Sequence, residues 1–522
     1  MSVHEVRFLP TAWLPVVPAD HAAAHRSLTN ELIRIQGDLD RFYSTKQALE
    51  LGDASVYTGA SGVAYMYWRV ASLEAPYFAE QREALMTKAE AYSKVALRLA
   101  KPHTKPTSVS TLLTGAAGVW AVAAAIAFSR NETTKAAAYC KEALAFAPTC
   151  VREGVPSELL YGRAGFLSCL FFMAAHAGLQ LKDVGEIVAG SVQLILQDGR
   201  ALAETDAAAD NAAGRPCAGF PLMWQWHDKR YLGAAHGLCG ILTVLLHLRS
   251  LVVALGCDHQ LQGTIDAILH VRLPSGNLPS SLGSTHDRLV HWCHGAPGFM
   301  PMVCAAASAY TDRCHEYLEA AAAAAVVINE HGLLKKGFGI CHGVAGNGLA
   351  LLCLSQNPAH LDMRTNALRF GMHTHAHIHT HTRTHTNTHS LTHTRTHAHM
   401  HTCVHTHTRK SSQTHTHTRT YTHIHTHALS NTHNTHSQHA HTQMLTHGHA
   451  HIHTYTHART HKHKLSLSKF ILHPHPHTHT HTPTPTHIRS RTHTHPDKYI
   501  LILRCACVAF GLTCMWRVCV CS

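Results

Sequence analysis

Between residues 79 and 147 the apolar positions return every three or four residues. In "AEQREALMTKAEAYSKVALRLA" they form one stripe, Leu85, Ala89, Tyr92, Ala96 and Leu99, with charged residues between them, and "TKAAAYCKEALAFA" repeats the pattern. That period belongs to an amphipathic helix with one face on a core. A second kind of segment is apolar all round, as in "GVWAVAAAIAF" and "GILTVLL", which predicts helices buried on every side. The two kinds alternate as far as Phe370, and few stretches alternate apolar and polar residues as half-buried strands do. The pattern predicts an all-α fold of outer amphipathic and inner apolar helices.

Each inner segment is introduced in the same way. Gly-x-x-Gly occurs at Gly59/Gly62, Gly115/Gly118, Gly162/Gly165, Gly237/Gly240, Gly295/Gly298 and Gly343/Gly346. The first glycines lie 47 to 75 residues apart, which is room for one outer and one inner helix per copy. The first glycine is expected to take a φ > 0 turn, and the second to let the new helix lie tightly against its neighbour. A ring of such pairs places all the turns at one end of an α/α barrel, with the residues before each first glycine facing a common cavity. Two turns, "HWCHGAPG" and "GICHGVAGNG", share Cys-His-Gly. That coincidence reads as a duplicated structural unit, as a metal site assembled from two turns, or as both.

Charge changes the picture only by locating it. Residues 1–370 hold 30 of the 31 acidic and 30 of the 44 basic residues, so the net charge of +13 lies wholly beyond them. The helical part is neutral and gives no basic face for nucleic acid. Scattered cysteines without a disulfide framework, no signal-like start and no apolar run of membrane length predict a cytoplasmic unit without transmembrane insertion. After Gly371 the chain becomes "HTHAHIHTHTRTHTNTHS" and its like, a composition that cannot build a core and is expected to be disordered. An (AC)n repeat encodes this alternation as Thr (ACA) and His (CAC), so the segment reads as translated repeat sequence. The functional alternative is a weak histidine-rich metal buffer. The expected organisation is an N-terminal helical segment (1–50), the repeats (51–370), the His/Thr tail (371–497) and an apolar cysteine-containing end (498–522).

The motifs "GAAHGLCGI", "HWCHGAPG" and "KKGFGICHGVAG", with "FPLMWQWHDKRYLGAAHG" and "ELLYGRAG", resemble the LanC-like (lanthionine synthetase C-like) family, in particular its eukaryotic members. The resemblance covers about residues 50–370. It implies a seven-repeat α/α toroid around a zinc ion. Six repeats are present here, and the seventh motif, of the type Leu-Phe-Glu-Gly-x-x-Gly, is absent. Six pairs are expected to leave the flanks of the first and sixth without neighbours.

The resemblance implies zinc ligands at Cys293, Cys341 and His342. Zinc takes thiolate and imidazole readily, and three protein ligands leave a fourth position open for chemistry. His294 is the alternative fourth ligand, which would close the site as a structural one. His236 matches the family's catalytic histidine, against a packing role in the cavity wall. Glu158 stands where bacterial relatives carry an acidic residue, against a capping or ion-pair role. Lys336 falls at a position associated with glutathione, against a solvated surface lysine. The implied activity is zinc-dependent addition of glutathione to dehydroamino-acid residues of a protein or peptide, forming a thioether. The alternatives are a non-catalytic glutathione-binding or adaptor protein on the same scaffold, and an inactive truncated form. A glycoside-processing barrel would need paired carboxylates about the cavity, and only Glu158 stands in a turn.

Overall fold

The computed structural model describes residues 7–10, 12, 14, 21–100, 110–213, 219–337, 339–371 and the backbone of 397–408 and 414–425. Six inner helices follow the six glycine turns: Ala60–Ala71, Ala116–Ser129, Arg163–His176, Leu238–His247, Ala296–Ala309 and Val344–Leu354. Each has the first glycine of its turn as N-cap. Outer helices follow at Arg82–Leu99, Thr133–Leu144, Gly185–Ala212, Asp258–His270 and Cys314–His331, and a further helix begins at 363–371. The first outer helix buries Leu85, Met86, Ala89, Tyr92, Ser93, Val95 and Ala96. This is the stripe that its three- and four-residue spacing predicts. The inner helix Ala60–Ala71 is buried at every position except Arg69, as expected of a segment apolar all round. Successive inner helices pack on one another from the first to the sixth. The all-α ring of helix pairs is therefore present.

The glycine turns work differently from expectation at their first position. Only Gly295 has a positive φ, 119°. The other first glycines are extended, for example Gly59 at −111° and Gly343 at −133°. What excludes a side chain is space. A Cβ on the second glycine would lie 2.4 Å from the carbonyl oxygen six residues earlier at Gly62, 1.8 Å at Gly118, 2.1 Å at Gly165, 2.0 Å at Gly240 and Gly298, and 1.9 Å at Gly346. The same approach meets the first glycines Gly59, Gly162, Gly237 and Gly295, at 2.1–2.5 Å. Each turn doubles back so that its own carbonyls face the start of the new helix. The N–H after the first glycine donates to one of them in Ala60→Asp53, Arg163→Pro156, Leu238→Tyr231 and Val344→Gly337.

The N-terminal helix His21–Phe42 packs on the first pair, where the Tyr67 hydroxyl donates to Asp40 at 2.6 Å. Ahead of it, residues 7–9 are extended and pair with the approach to the sixth turn: Leu9 N–H donates to Leu333 C=O at 2.7 Å, and Lys335 N–H to Arg7 C=O at 3.0 Å. On the sixth inner helix, fully buried Phe370 covers Gly348, where a Cβ would come within 3.0 Å of the phenylalanine Cβ. The flank of the sixth pair is thus covered at that position. A separate unit, Arg383–Thr492, contains an antiparallel ladder of His397–Thr408 with Thr414–His425. A lone two-stranded ladder is marginal in water. The rest of the tail, including the apolar end at 498–522, lies outside the described residues.

Candidate functional site

In the common frame of the turns, the residue before the first glycine is Thr58, Thr114, Tyr161, His236, His294 or His342 in chain order. The residue before that is Tyr57, Leu113, Leu160, Ala235, Cys293 or Cys341. Chemistry-bearing side chains gather in these two registers because each turn repeats the same backbone path at the same end of the ring.

The fifth and sixth turns are joined directly, Cys293 N–H donating to Cys341 C=O at 3.0 Å. Fully buried Asn347 of the sixth inner helix donates to Val290 C=O at 3.0 Å and to Gly332 C=O at 2.8 Å, tying that helix to the fifth turn. Asn277 fixes the fifth turn from the other side by accepting from Ala296 N–H at 2.8 Å. In this frame one ligand atom each from Cys293, Cys341 and His342 lie within 4.8 Å of one another, the only such Cys/His/Asp/Glu group among the described residues. The three predicted ligands are therefore together, and His294 is outside the group.

The electrostatics of the two thiols mark them as a pair. Cys341 is drawn well below the ordinary thiol range, first by the hydrogen bond from Cys293, then by His342 and by the Tyr57 phenol. Cys293 is pushed up by that same shared hydrogen bond and by burial. Two thiols pushed in opposite directions by their contact, beside an imidazole, form a donor set that fits zinc. A zinc ion held there would have sulfur and nitrogen as its ligands. Three protein ligands would leave a fourth position free, as in open zinc sites. Around it, burial lowers His291 to about 3, with further contributions from Lys336, His342, His294 and Arg7. His294 is lowered by burial and by His236 and Lys336, against the opposing pull of Cys341.

The third and fourth turns hold a second pair. Glu158, 2% exposed, accepts from the backbone N–H of Leu160 at 3.0 Å and from that of Tyr161. The His236 Nδ1 lies 2.7 Å from its Oε2. A carboxylate that already accepts two N–H groups is an acceptor here too, so Nδ1 donates and Nε2 is left for proton exchange. Glu158 therefore caps its own turn and pairs with His236, the capping and ion-pair role offered for it. Two near-parallel rings flank the histidine, with Trp226 5.7 Å away at 9° and Tyr161 6.0 Å away at 10°. Tyr231 links the two halves of the rim, its ring 6.1 Å from His236 and 5.3 Å from His294.

Lys336 is exposed at the entrance to the sixth turn, within electrostatic reach of Cys293 and His291. Four residues of the site escaped the sequence reading: Tyr57, Tyr161, Trp226 and Arg7. The register was a usable signal for two of them, since Tyr57 shares the position of the cysteines and Tyr161 that of the histidines. Arg7 carried no signal, because its place depends on the pairing of residues 7–9 with 333–335. Among the described residues no helix is long and apolar enough to cross a membrane.

A profile of the family described as "Lanthionine synthetase C-like protein" matches residues 50–404. The chain is 31% identical over 354 residues to "Glutathione S-transferase LANCL1" of Danio rerio, covering 63% of this chain and 82% of that protein. It is 35% identical over 311 residues to "LanC-like protein GCL1" of Arabidopsis thaliana, covering 58% of this chain and 66% of that one. Among solved structures it is similar to nisin cyclase, with a TM-score of 0.44 and 13% identity over 64% of this chain and 82% of that one.

Proposed function

The chain belongs to the lanthionine synthetase C-like family, and from that premise we propose that it adds the thiol of glutathione across the double bond of a dehydroamino-acid residue in a protein or peptide. The observation that carries the reading is the pairing of a zinc-type donor set on the fifth and sixth turns with a carboxylate-held histidine on the third and fourth. The name of the zebrafish relative supports glutathione as the thiol.

Cys293, Cys341 and His342 would hold the metal, and zinc bound there supplies a Lewis-acid position that lowers the pKa of an incoming thiol. The overall step is redox-neutral. The thiol gives up its proton, sulfur bonds to the β carbon, the π electrons move to the α carbon, and that carbon takes a proton. His236 is the group placed for the proton traffic, because Glu158 fixes its ring and leaves Nε2 free. The neighbouring rings of Trp226 and Tyr161 stack beside the imidazole. Lys336 supplies a cation for a glutathione carboxylate. Arg7, whose carbonyl is bonded to the N–H of Lys335, supplies a second on the same side. The reading places the protein in the cytoplasm, where glutathione and thiols are kept reduced.

The test incubates the protein with zinc, glutathione and a dehydroalanine peptide, and follows the peptide by mass spectrometry. The expected product is the peptide plus one glutathione, with no change in oxidation state. Zinc and glutathione both bound, with no adduct formed, would leave the non-catalytic glutathione-binding scaffold as the function.

A further inference from the structure

A cavity of about 610 Å³ opens beside the Glu158–His236 pair and takes no part in the chemistry proposed above. Its walls include Glu153, Pro156, Arg163, Asp198, Trp226 and Asp228. Trp226 also stacks on His236, so one indole is a wall common to the cavity and to the proton-handling histidine. The loop along its other side, 150–157, ends in Glu158. The cavity therefore adjoins the reacting region through two separate elements.

It is also a built site. The Arg163 side chain, 4% exposed, donates to the carbonyls of Cys150 and Arg152 at 2.9 and 3.1 Å and to Asp198 Oδ2 at 2.6 Å. Ser157 Oγ donates to the same Oδ2 at 2.8 Å. These bonds fix the loop and hold Asp198 by one oxygen. The Asp198 side chain is 44% exposed, and its Oδ1 has no hydrogen-bond partner among the described residues. Asp228 is held at the opposite rim by a two-residue hairpin, in which Trp226 and Lys229 exchange backbone hydrogen bonds at 2.9 and 3.1 Å. That hairpin sets His227 and Asp228 at φ of 44° and 59°. Left-handed backbone is uncommon for residues other than glycine, and it tends to persist where the surroundings over-determine it. Three carboxylates thus line the cavity; its one guanidinium bonds the loop and pairs with Asp198, so Glu153 and Asp228 carry the excess negative charge. The nearby Arg230 is committed to Asp206.

A space of this size takes one long side chain with adjoining backbone, and its charge selects a cation. The geometry points to this cavity as a subsite for the acceptor polypeptide, receiving a lysine or arginine side chain close in sequence to the residue that accepts the thiol. The assignment rests on the addition reaction proposed above. Trp226 then has two duties, packing beside the aliphatic stem of the bound side chain and stacking with His236.

The experiment uses the full-length chain and fluorescent dehydroalanine peptides whose flanking position is Lys, Ala or Glu. Binding is read by anisotropy at low salt without any thiol, and thioether formation is read separately with glutathione. Partly exposed pairs contribute modestly, so the Lys peptide should bind about 3- to 20-fold tighter than the Glu peptide. The double variant Glu153→Gln/Asp228→Asn should bring that ratio to within about twofold while leaving the Ala peptide unaffected. Asparagine tolerates the left-handed backbone, so the hairpin survives the change. Equal binding of the Lys and Glu peptides, or a double variant that keeps the wild-type ratio, overturns the subsite. Charge-dependent binding with no adduct upholds the subsite and overturns the reaction. Adducts formed at rates indifferent to charge do the reverse.

Discussion

The rim of the ring gathers polar side chains in two halves built on one backbone plan, and they differ in how complete they are. On the third and fourth turns the protein satisfies itself. Glu158 accepts from two backbone N–H groups and from His236, and the imidazole is stacked among aromatic rings. On the fifth and sixth turns the two thiols lie against one another beside His342, Cys341 drawn down and Cys293 pushed up, with the Tyr57 phenol adjoining. The lesson is that the same turn, carrying different residues in two positions, makes either a finished hydrogen-bonded acid–base pair or a donor set that calls for a cation.

That contrast breaks most visibly at the metal. Full-length protein loaded with zinc should carry about one ion per chain. Replacing Cys293, Cys341 or His342 by Ala should remove most of it, whereas His294→Ala should leave it in place, as read by elemental analysis. Loss of zinc from the His294 variant equal to that from Cys293→Ala would move the site to the closed, structural class.

The other half should fail in rate and not in metal. His236→Ala should slow thioether formation by about 10²–10⁴-fold, and Glu158→Gln by about 10- to 100-fold as the ring loses its anchor, both with zinc retained. A His236 variant of unchanged rate would leave the stacked pair as packing alone.

Glycine substitutions sharpen the comparison through stability. Gly165→Ala and Gly346→Ala each drive a methyl into a carbonyl oxygen, Leu159 at 2.1 Å and Ile340 at 1.9 Å. Each should cost about 1–3 kcal/mol in thermal or denaturant unfolding. Only Gly346→Ala should also weaken zinc binding, since its turn carries two of the three ligands. Equal zinc loss in both variants would mean that the halves are not independent.

The smallest expected effect belongs to Tyr57. Its phenol bonds to Cys341, so Tyr57→Phe removes one hydrogen bond, about 1 kcal/mol, or about fivefold in zinc affinity. The proton chemistry at His236 should be untouched. An unchanged affinity in competition with a chelator of known strength would show that the phenol does not tune the site.

The sequence by itself determined the repeat. Apolar periodicity separated outer from inner helices, and the six glycine pairs located every turn, because a turn that folds its own carbonyls against a helix start tolerates no side chain. It also determined the donor types, since Cys293, Cys341, His342 and His236 stand in register beside those glycines. It misjudged why the first glycine is needed, since steric space and backbone angle leave the same mark in a sequence. Only the tertiary structure decided which registers meet across the ring. Tyr57 reaches Cys341 from the first turn to the sixth, Glu158 reaches His236 across 78 residues, and Arg7 arrives beside the sixth turn by pairing with 333–335. Such contacts follow from how the ring closes. Closure depends on the summed packing angles of all the helix pairs, so no local pattern of residues encodes it.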